Sequence, residues 1–324
     1  MRARQIGLIL AGLIGAALAV GAVYQSQSVR REAAQFPAPG QIVDIGGRRL
    51  HFICIGQGEP TIVFEPSGFG AALSSSAART EIAARTRVCS YDRMGTGWSD
   101  PGPPLISAGL LAEDLQQLFD RAEIRPPYVL VPASIGGLTA EMYARRHPDR
   151  VAGLVFLDAA NSEGLEALAP RVTWGVRRAV CLTTVAARLG LFRVLDPFEL
   201  KKAPPEESAR AMSRLYRVEP FETLCGMADG LTQTLAEFRS APPLAPDVPL
   251  AVLTAETTKQ LLPPALLSLV SSRDDFMREK RELAQAFARR STRGTWTLVP
   301  GSDHLIASSQ PHAVAAAVLE MIKK

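Results

Sequence analysis

The chain has 324 residues, 47% of them hydrophobic and 21% charged, which supplies one large core, or a core with a smaller cap, and argues against a chain disordered throughout. The net charge of +4 comes from arginines scattered along the chain. No element gathers Lys and Arg with interleaved aromatics, so nucleic acid is not an expected partner.

Arg2 and Arg4 precede an uncharged run, Ile6 to Tyr24. As a helix this run spans about 28 Å, close to the hydrocarbon thickness of a bilayer. It therefore reads as an uncleaved transmembrane anchor. The alternative is a secretory signal cleaved near Ala17-Leu18-Ala19, which would leave a secreted or periplasmic protein. Either way the two arginines stay inside, and the rest of the chain lies on the extracytoplasmic side. Residues 1–30 are the anchor or signal segment, and 31–40, ending in Pro37-Ala38-Pro39-Gly40, read as a linker.

From Gln41 onward, short β-branched runs alternate with longer helical patterns. The expected strands are Gln41–Ile45, Arg49–Ile55, Thr61–Glu65, Arg87–Tyr91, Tyr128–Val131, Val151–Leu157, Leu250–Thr254 and Thr295–Val299. Gly46-Gly47 joins the first two as a hairpin. Later runs such as Val151–Leu157 are continuous and apolar, which suits parallel strands covered on both faces. Helices are expected over about 71–85, 107–122, 135–147, 275–290 and 311–323. The alternation predicts an α/β fold with a mostly parallel sheet. Its core is 41–160 and 247–324. Residues 161–246 hold no convincing strand and read as a helical lid over the carboxyl ends of the strands, where open α/β sheets place ligands. Within it, Arg171, Arg177, Arg178, Arg188 and Arg193, on the lid helix around Trp174–Leu195, read as a solvated face, with a basic membrane-surface helix as the alternative.

Four cysteines, Cys54, Cys89, Cys181 and Cys225, fit an exported domain with disulfides, or else four buried thiols. No spacing matches a metal site, and no cofactor is expected.

The strand Tyr128–Val131 runs into Pro132-Ala133-Ser134-Ile135-Gly136-Gly137 and a helix. A serine at such a turn is lifted above the sheet as a nucleophile; an ordinary turn with a helix-capping serine is the plain alternative. Serine needs a base, usually histidine. His51 lies in a strand, His147 ends the helix after the elbow, and His312 opens the last helix. His304, on the loop past the last strand, is the expected base. The acid that orients it is expected at Asp158, on the tip of the sixth strand. Glu256, after the seventh strand in Ala255-Glu256-Thr257-Thr258, is the alternative; Asp303 more readily shapes its own loop. The turn Pro66-Ser67-Gly68-Phe69-Gly70 can aim a backbone N–H at a reacting carbonyl, making Phe69 and Ile135 the oxyanion-hole donors. In Tyr91–Asp100, Asp92 and Arg93 are expected to pin the loop beside the site, because no phosphate-binding pattern surrounds its glycines.

YDRMGTGWSDPGPP, PPYVLV with the elbow, RRHPDRVAGLVFLDAA, VPLAVLTA and GSDHLI, in that order, resemble the α/β-hydrolase superfamily over residues 41 to 324, apart from most of the lid. Pro132-Ala133 stands where that family often has Gly-His, and the acid after the seventh strand is missing. The resemblance implies an eight-stranded sheet with an antiparallel second strand, and a Ser–acid–His triad on Ser134, Asp158 and His304. A sixth-strand acid is similar to some haloalkane dehalogenases, but those use an aspartate nucleophile. The family's strand order sets the second and fourth strands side by side, implying a Cys54–Cys89 disulfide and leaving Cys181 and Cys225 in the lid as a candidate second pair. The implied function is a serine hydrolase acting on a small-molecule carboxylic ester, hydrophobic or lipid-like in view of the apolar lid and the tether. The alternatives are an amidase or aminopeptidase on the same triad, and a non-catalytic ligand-binding member.

Overall fold

The computed structural model describes residues 2–70, 76–257 and 273–323. It opens with one long helix, α1 (Arg2–Gln35). Strands and helices then alternate: β1 (Gln41–Asp44), β2 (Arg49–Ile55), β3 (Thr61–Glu65), α2 (Ser76–Ala83), β4 (Val88–Tyr91), α3 (Ala108–Arg121), β5 (Tyr128–Pro132), α4 (Gly136–Arg146) and β6 (Val151–Leu157). A purely helical stretch comes next, with α5 (Ser162–Leu168), α6 (Trp174–Arg188), α7 (Leu191–Leu195), α8 (Pro205–Leu215), α9 (Glu219–Asp229) and α10 (Leu231–Ser240). The chain closes with β7 (Leu250–Ala255), α11 (Arg273–Ala288), β8 (Gly294–Val299), α12 (Ile306–Ser309) and α13 (Pro311–Met321).

The eight strands form one sheet in the order β1-β2-β4-β3-β5-β6-β7-β8. β2 pairs antiparallel with β1 and β4, and the remaining pairs are parallel. Alternate side chains of each inner strand enter opposite cores. Tyr128, Leu130, Leu154 and Phe156 pack with α3, α4 and α11 on one face. Val129, Val131, Val155 and Leu157 pack with α2 and α13 on the other. Both faces are covered, which is why these strands are apolar at every position. β8, at the edge, alternates exposed Thr295 and Thr297 with half-buried Trp296 and Leu298.

The register sets Cys54 of β2 directly opposite Cys89 of β4, and the two are bonded as a disulfide. A second disulfide joins Cys181 of α6 to Cys225 of α9. Asp229 lies close to that pair, but both sulfurs are bonded to each other and neither is a free thiolate ligand.

The structure differs from the sequence expectation in several places. The polar stretch expected as a linker from residue 31 is still α1, which runs to Gln35. Its far end is held by tertiary contacts: Gln25 donates to the Tyr216 carbonyl, and Glu32 is ion-paired to Arg193. Arg193 is therefore buried rather than part of a solvated basic face. The expected single helix Trp174–Leu195 is two, broken at Gly190, whose φ of 67° is the left-handed conformation that ends a helix. Of the helix expected over 71–85, residues 71–75 lie outside the described residues, as does Thr258.

Candidate functional site

β5 delivers Ser134. Register between β5 and β6 ends at Leu130 opposite Leu154, while Pro132 still sits opposite Glu65 of β3. The missing N–H of Pro132 thus falls in a gap of the ladder to β6, between the Leu130–Leu154 pair and the Ala133–Leu157 bridge. Ala133 N–H donates to the Glu65 carbonyl at 3.2 Å, and Ser134 N–H to that of Leu157 at 3.4 Å. Between them the chain turns so sharply that Ser134 takes a φ of 52°, a strained conformation for a residue with a side chain. The glycines just after it are required by crowding. A Cβ on Gly136 would stand 2.4 Å from the Pro66 carbonyl oxygen, and one on Gly137 2.0 Å from that of Ala160.

His304 reaches this point from the loop between β8 and α12. Its Nε2 lies 3.0 Å from Ser134 Oγ and its Nδ1 2.7 Å from Asp158 Oδ2. The tautomer with hydrogen on Nδ1 serves both contacts, since the carboxylate only accepts and the hydroxyl can donate. Asp303 does not touch the ring; its carboxylate accepts from the Leu305 N–H at 2.9 Å and shapes the loop.

Asp158 stands just beyond β6 with its side chain fully buried. Oδ1 accepts the Ala255 N–H at 2.8 Å; Oδ2 accepts from His304 and, at 2.5 Å, from Lys280 Nζ on α11. Burial alone would push this carboxyl upward. The hydrogen bond from His304 and the charge of Lys280 outweigh it and hold Asp158 below the usual carboxylate range. Glu256 is exposed, and its Oε2 accepts from the Gly301 N–H at 2.8 Å, so it braces the histidine loop without a bond to the ring.

Phe69 lies on the tight turn after β3, where Gly70 N–H donates to the Ser67 carbonyl at 3.1 Å. A Cβ on Gly68 would stand 3.6 Å from Ile135 Cγ2, so this turn abuts the start of α4. Arg93 pins it, donating to the Pro66 carbonyl at 2.5 Å and the Ser67 carbonyl at 3.2 Å. Arg93 also pairs at 2.8 Å with buried Glu65, which accepts from the Tyr91 hydroxyl as well. Burial raises the Glu65 carboxyl, and Arg93 opposes the shift. Asp92 turns away from the site, bonded to His51 at 2.7 Å and to the Trp98 N–H at 3.0 Å. The Phe69 ring packs against Phe198 and Phe221, with centroids 5.3 and 5.2 Å away.

The structure thus brings Ser134, His304 and Asp158 into one hydrogen-bonded chain and sets the Phe69 turn beside Ile135. Sequence reasoning missed Lys280 and the Glu65 partner of Arg93. Arg93 carried a signal, standing in a glycine-rich turn just past a strand. Lys280, 122 residues from Asp158 in a run dense with charge, carried none.

The model of the alpha/beta hydrolase family matches residues 62–317. An uncharacterized protein of Schizosaccharomyces pombe is 41% identical over 81 residues, 25% of this chain and 15% of that protein. The chain spans only 15% to 42% of the length of the first curated relatives it matches. Among solved structures, a thermophilic esterase from Thermogutta terrifontis superposes with a TM-score of 0.62 at 23% identity, covering 88% of this chain and 98% of that one. The enol-lactonase from Burkholderia xenovorans LB400 superposes with a TM-score of 0.56 at 20% identity, covering 88% and 100%. At these identities the likeness is one of fold.

Proposed function

The chain belongs to the alpha/beta hydrolase family, and on that footing we propose that it is a serine hydrolase cleaving a carboxylic ester through an acyl-enzyme. Ser134 Oγ attacks the carbonyl carbon as His304 Nε2 takes its proton. The resulting oxyanion is held by the N–H groups of Phe69 and Ile135, each of the order of 3 kcal/mol in comparable sites. Collapse expels the alcohol, which receives the proton from His304. Water, deprotonated by the same imidazole, then attacks the acyl carbon; the acyl–Oγ bond breaks, His304 returns the proton to Ser134 Oγ, and the acid is released. Asp158 acts as a positioning residue: it fixes the ring and offsets the charge of the imidazolium. The observation that carries this reading is the Asp158–His304–Ser134 chain, with contacts of 2.7 and 3.0 Å, ending on a serine held at positive φ.

The helical stretch 161–246 acts as a lid, and the aromatic cluster it folds over Phe69 favours a hydrophobic acyl group. α1 is long and apolar enough to cross a membrane by length and composition. It serves as an uncleaved signal anchor with the hydrolase on the extracytoplasmic side, a reading supported by the two disulfides.

The test is labelling by a fluorophosphonate probe. Wild type should label; Ser134→Ala should not, and His304→Ala should label at least about a hundredfold more slowly. Folded wild-type protein that fails to label would leave a ligand-binding protein without turnover.

A further inference from the structure

α6 and α7 present an apolar surface that nothing among the described residues covers. The inward side of α6 is fixed by the Cys181–Cys225 bond to α9 and by buried Thr184 and Ala187. The outward side carries Trp174, Arg178, Leu182 and Val185, at helical spacings of four, four and three. Trp174 is 73% exposed and Leu182 65%; on α7, Val194 is 66% and Leu195 71% exposed. Scattered exposed leucines need no explanation, but large apolar side chains exposed together along two successive helices mark a surface that favours an apolar neighbour.

The position of the patch identifies what covers it. Ile6, Leu8, Ile9, Leu10, Leu13 and Ile14 of α1 are all more than half exposed. The first close approach of α1 to the rest of the fold is at Gly21, where a Cβ would stand 2.6 Å from the Leu189 carbonyl oxygen; Gly190 in turn lies against the Tyr24 ring. One turn further on, Gln25 accepts from Arg193 Nε at 2.7 Å, and Glu32 closes a partly buried ion pair with the same guanidinium. The apolar span thus ends at the junction of α6 and α7, and these contacts hold the two helices beside that end. The basic residues are mostly spoken for: Arg171 pairs with Glu279, Arg188 with Glu222, and Arg193 faces inward. Arg178 lies over the Trp174 ring at 5.5 Å. An apolar face with an interfacial tryptophan and few free cations suits the surface of a lipid leaflet more than a polyanion.

We infer that the α6–α7 face docks into the leaflet from which α1 emerges, so that the lid rests in the headgroup region of the bilayer. The inference rests on the proposal that α1 is a membrane anchor. It also deepens the substrate class. Phe192 of α7 stacks on Phe221 with centroids 4.5 Å apart, and Phe221 meets Phe69 at 5.2 Å. Phe198, 42% exposed, touches Phe69 as well. Aromatic contacts thus run from α7 through Phe221 to Phe69 on the turn beside Ser134, an apolar lining that suits an ester carried in the lipid phase.

The test uses the full-length chain reconstituted in phosphatidylcholine vesicles. All four native cysteines are in disulfides, so single variants Leu182→Cys, Val194→Cys and Leu195→Cys can be labelled with a polarity-sensitive fluorophore. Gln57→Cys, exposed at the opposite end of the sheet, is the reference. Spin-labelled phospholipid should quench the three lid probes and leave the Gln57→Cys probe unchanged. Lid probes no more quenched than the reference would overturn the inference, and so would shielding that arises only from cross-linkable contact between two copies. A Leu182→Asp/Leu195→Asp variant gives a second reading. It should hydrolyse a long-chain ester presented in vesicles about tenfold more slowly, with unchanged turnover of a short water-soluble ester. Equal loss on both esters would assign these residues to folding and overturn the docking. Quenching needs no turnover, so a failure of the hydrolase reading stays separable from a failure of docking.

Discussion

Replacing Asp158 by asparagine isolates the carboxylate charge while preserving side-chain volume. In the proposed mechanism, deprotonation of Ser134 makes His304 an imidazolium, with Nδ1 2.7 Å from Asp158 Oδ2. Two unit charges at that distance interact by about 6 kcal/mol at an effective dielectric of 20. Each 1.36 kcal/mol is a factor of ten in rate, so the ceiling is about four powers of ten. Lys280, 2.5 Å from the same oxygen, draws off part of that field, while an asparagine amide facing Nδ1 adds loss by favouring the wrong tautomer. The expected fall in kcat is therefore about 1,000- to 10,000-fold. Glu256→Gln, at an exposed residue that braces Gly301, should stay within about tenfold of wild type. Both are read by single-turnover acylation with a chromogenic short-chain ester, on full-length protein whose melting temperature is checked in parallel. The assignment is refuted if Asp158→Asn keeps more than about a tenth of the wild-type rate while Glu256→Gln loses three powers of ten.

Lys280→Met should lower stability at pH 7 by about 1.5–3 kcal/mol, the range for a hydrogen bond to a charged partner. Asp158 is held low in the folded state, so the stability it contributes is present above its unfolded value and is lost as pH falls through the folded one. The melting-temperature gap between wild type and Lys280→Met should accordingly close below about pH 4. Asp114 has the opposite sign. Burial raises its carboxyl to about 6 against the pull of Arg48, so wild type should lose stability as pH rises from about 4 to 6. Asp114→Asn should be the more stable protein at pH 7, by about 3 kcal/mol at most, and lack that pH dependence; a lower melting temperature for this variant at pH 7 would contradict the sign. Gly137→Ala should abolish fluorophosphonate labelling and cost about 1–3 kcal/mol, because its methyl would meet the Ala160 carbonyl oxygen at 2.0 Å; a normally labelling, stable variant would show that the elbow can relax.

The features legible in the sequence were those set by one-dimensional pattern. Short apolar runs such as Val151–Leu157, alternating with helical patterns, read as strands covered on both sides, and the family resemblance supplied the eight-stranded sheet they form. Gly136 and Gly137 after a serine signalled the close passage that the Pro66 and Ala160 carbonyls impose. Features that depend on a partner distant in sequence were not legible. Residues 31–35 look like a linker because nothing local rewards burying them; they are helical where Glu32 meets Arg193, 161 residues away. Lys280 sits among charges that would read as a solvated face, and only the folded chain aims it at Asp158. The break at Gly190 was readable from the glycine alone, but the apolar residues on both sides favoured one continuous helix.

The sixth-strand position of Asp158 is easier to understand from the sheet than from the sequence. β6 and β7 are parallel neighbours with Leu157 opposite Leu253. Asp158 N–H donates to the Leu253 carbonyl at 2.7 Å, and its Oδ1 accepts from Ala255 N–H. At a φ of 48° the backbone bends here, carrying the carboxylate across the end of β7. A side chain rooted on β6 thereby occupies the space over the neighbouring strand, in front of the His304 ring. Two adjacent parallel strands ending at the same level offer alternative roots for one charge, because the imidazole responds to the position and hydrogen-bond geometry of the carboxylate and not to the strand that carries it. On the proposed triad the loop after β7 is free of the acid's role, and Glu256 instead accepts from Gly301 and braces the histidine loop. Lys280 is the corollary. A carboxylate drawn over the strand end and buried there needs more than one cationic or N–H partner, and α11, packed against β7, supplies the second charge.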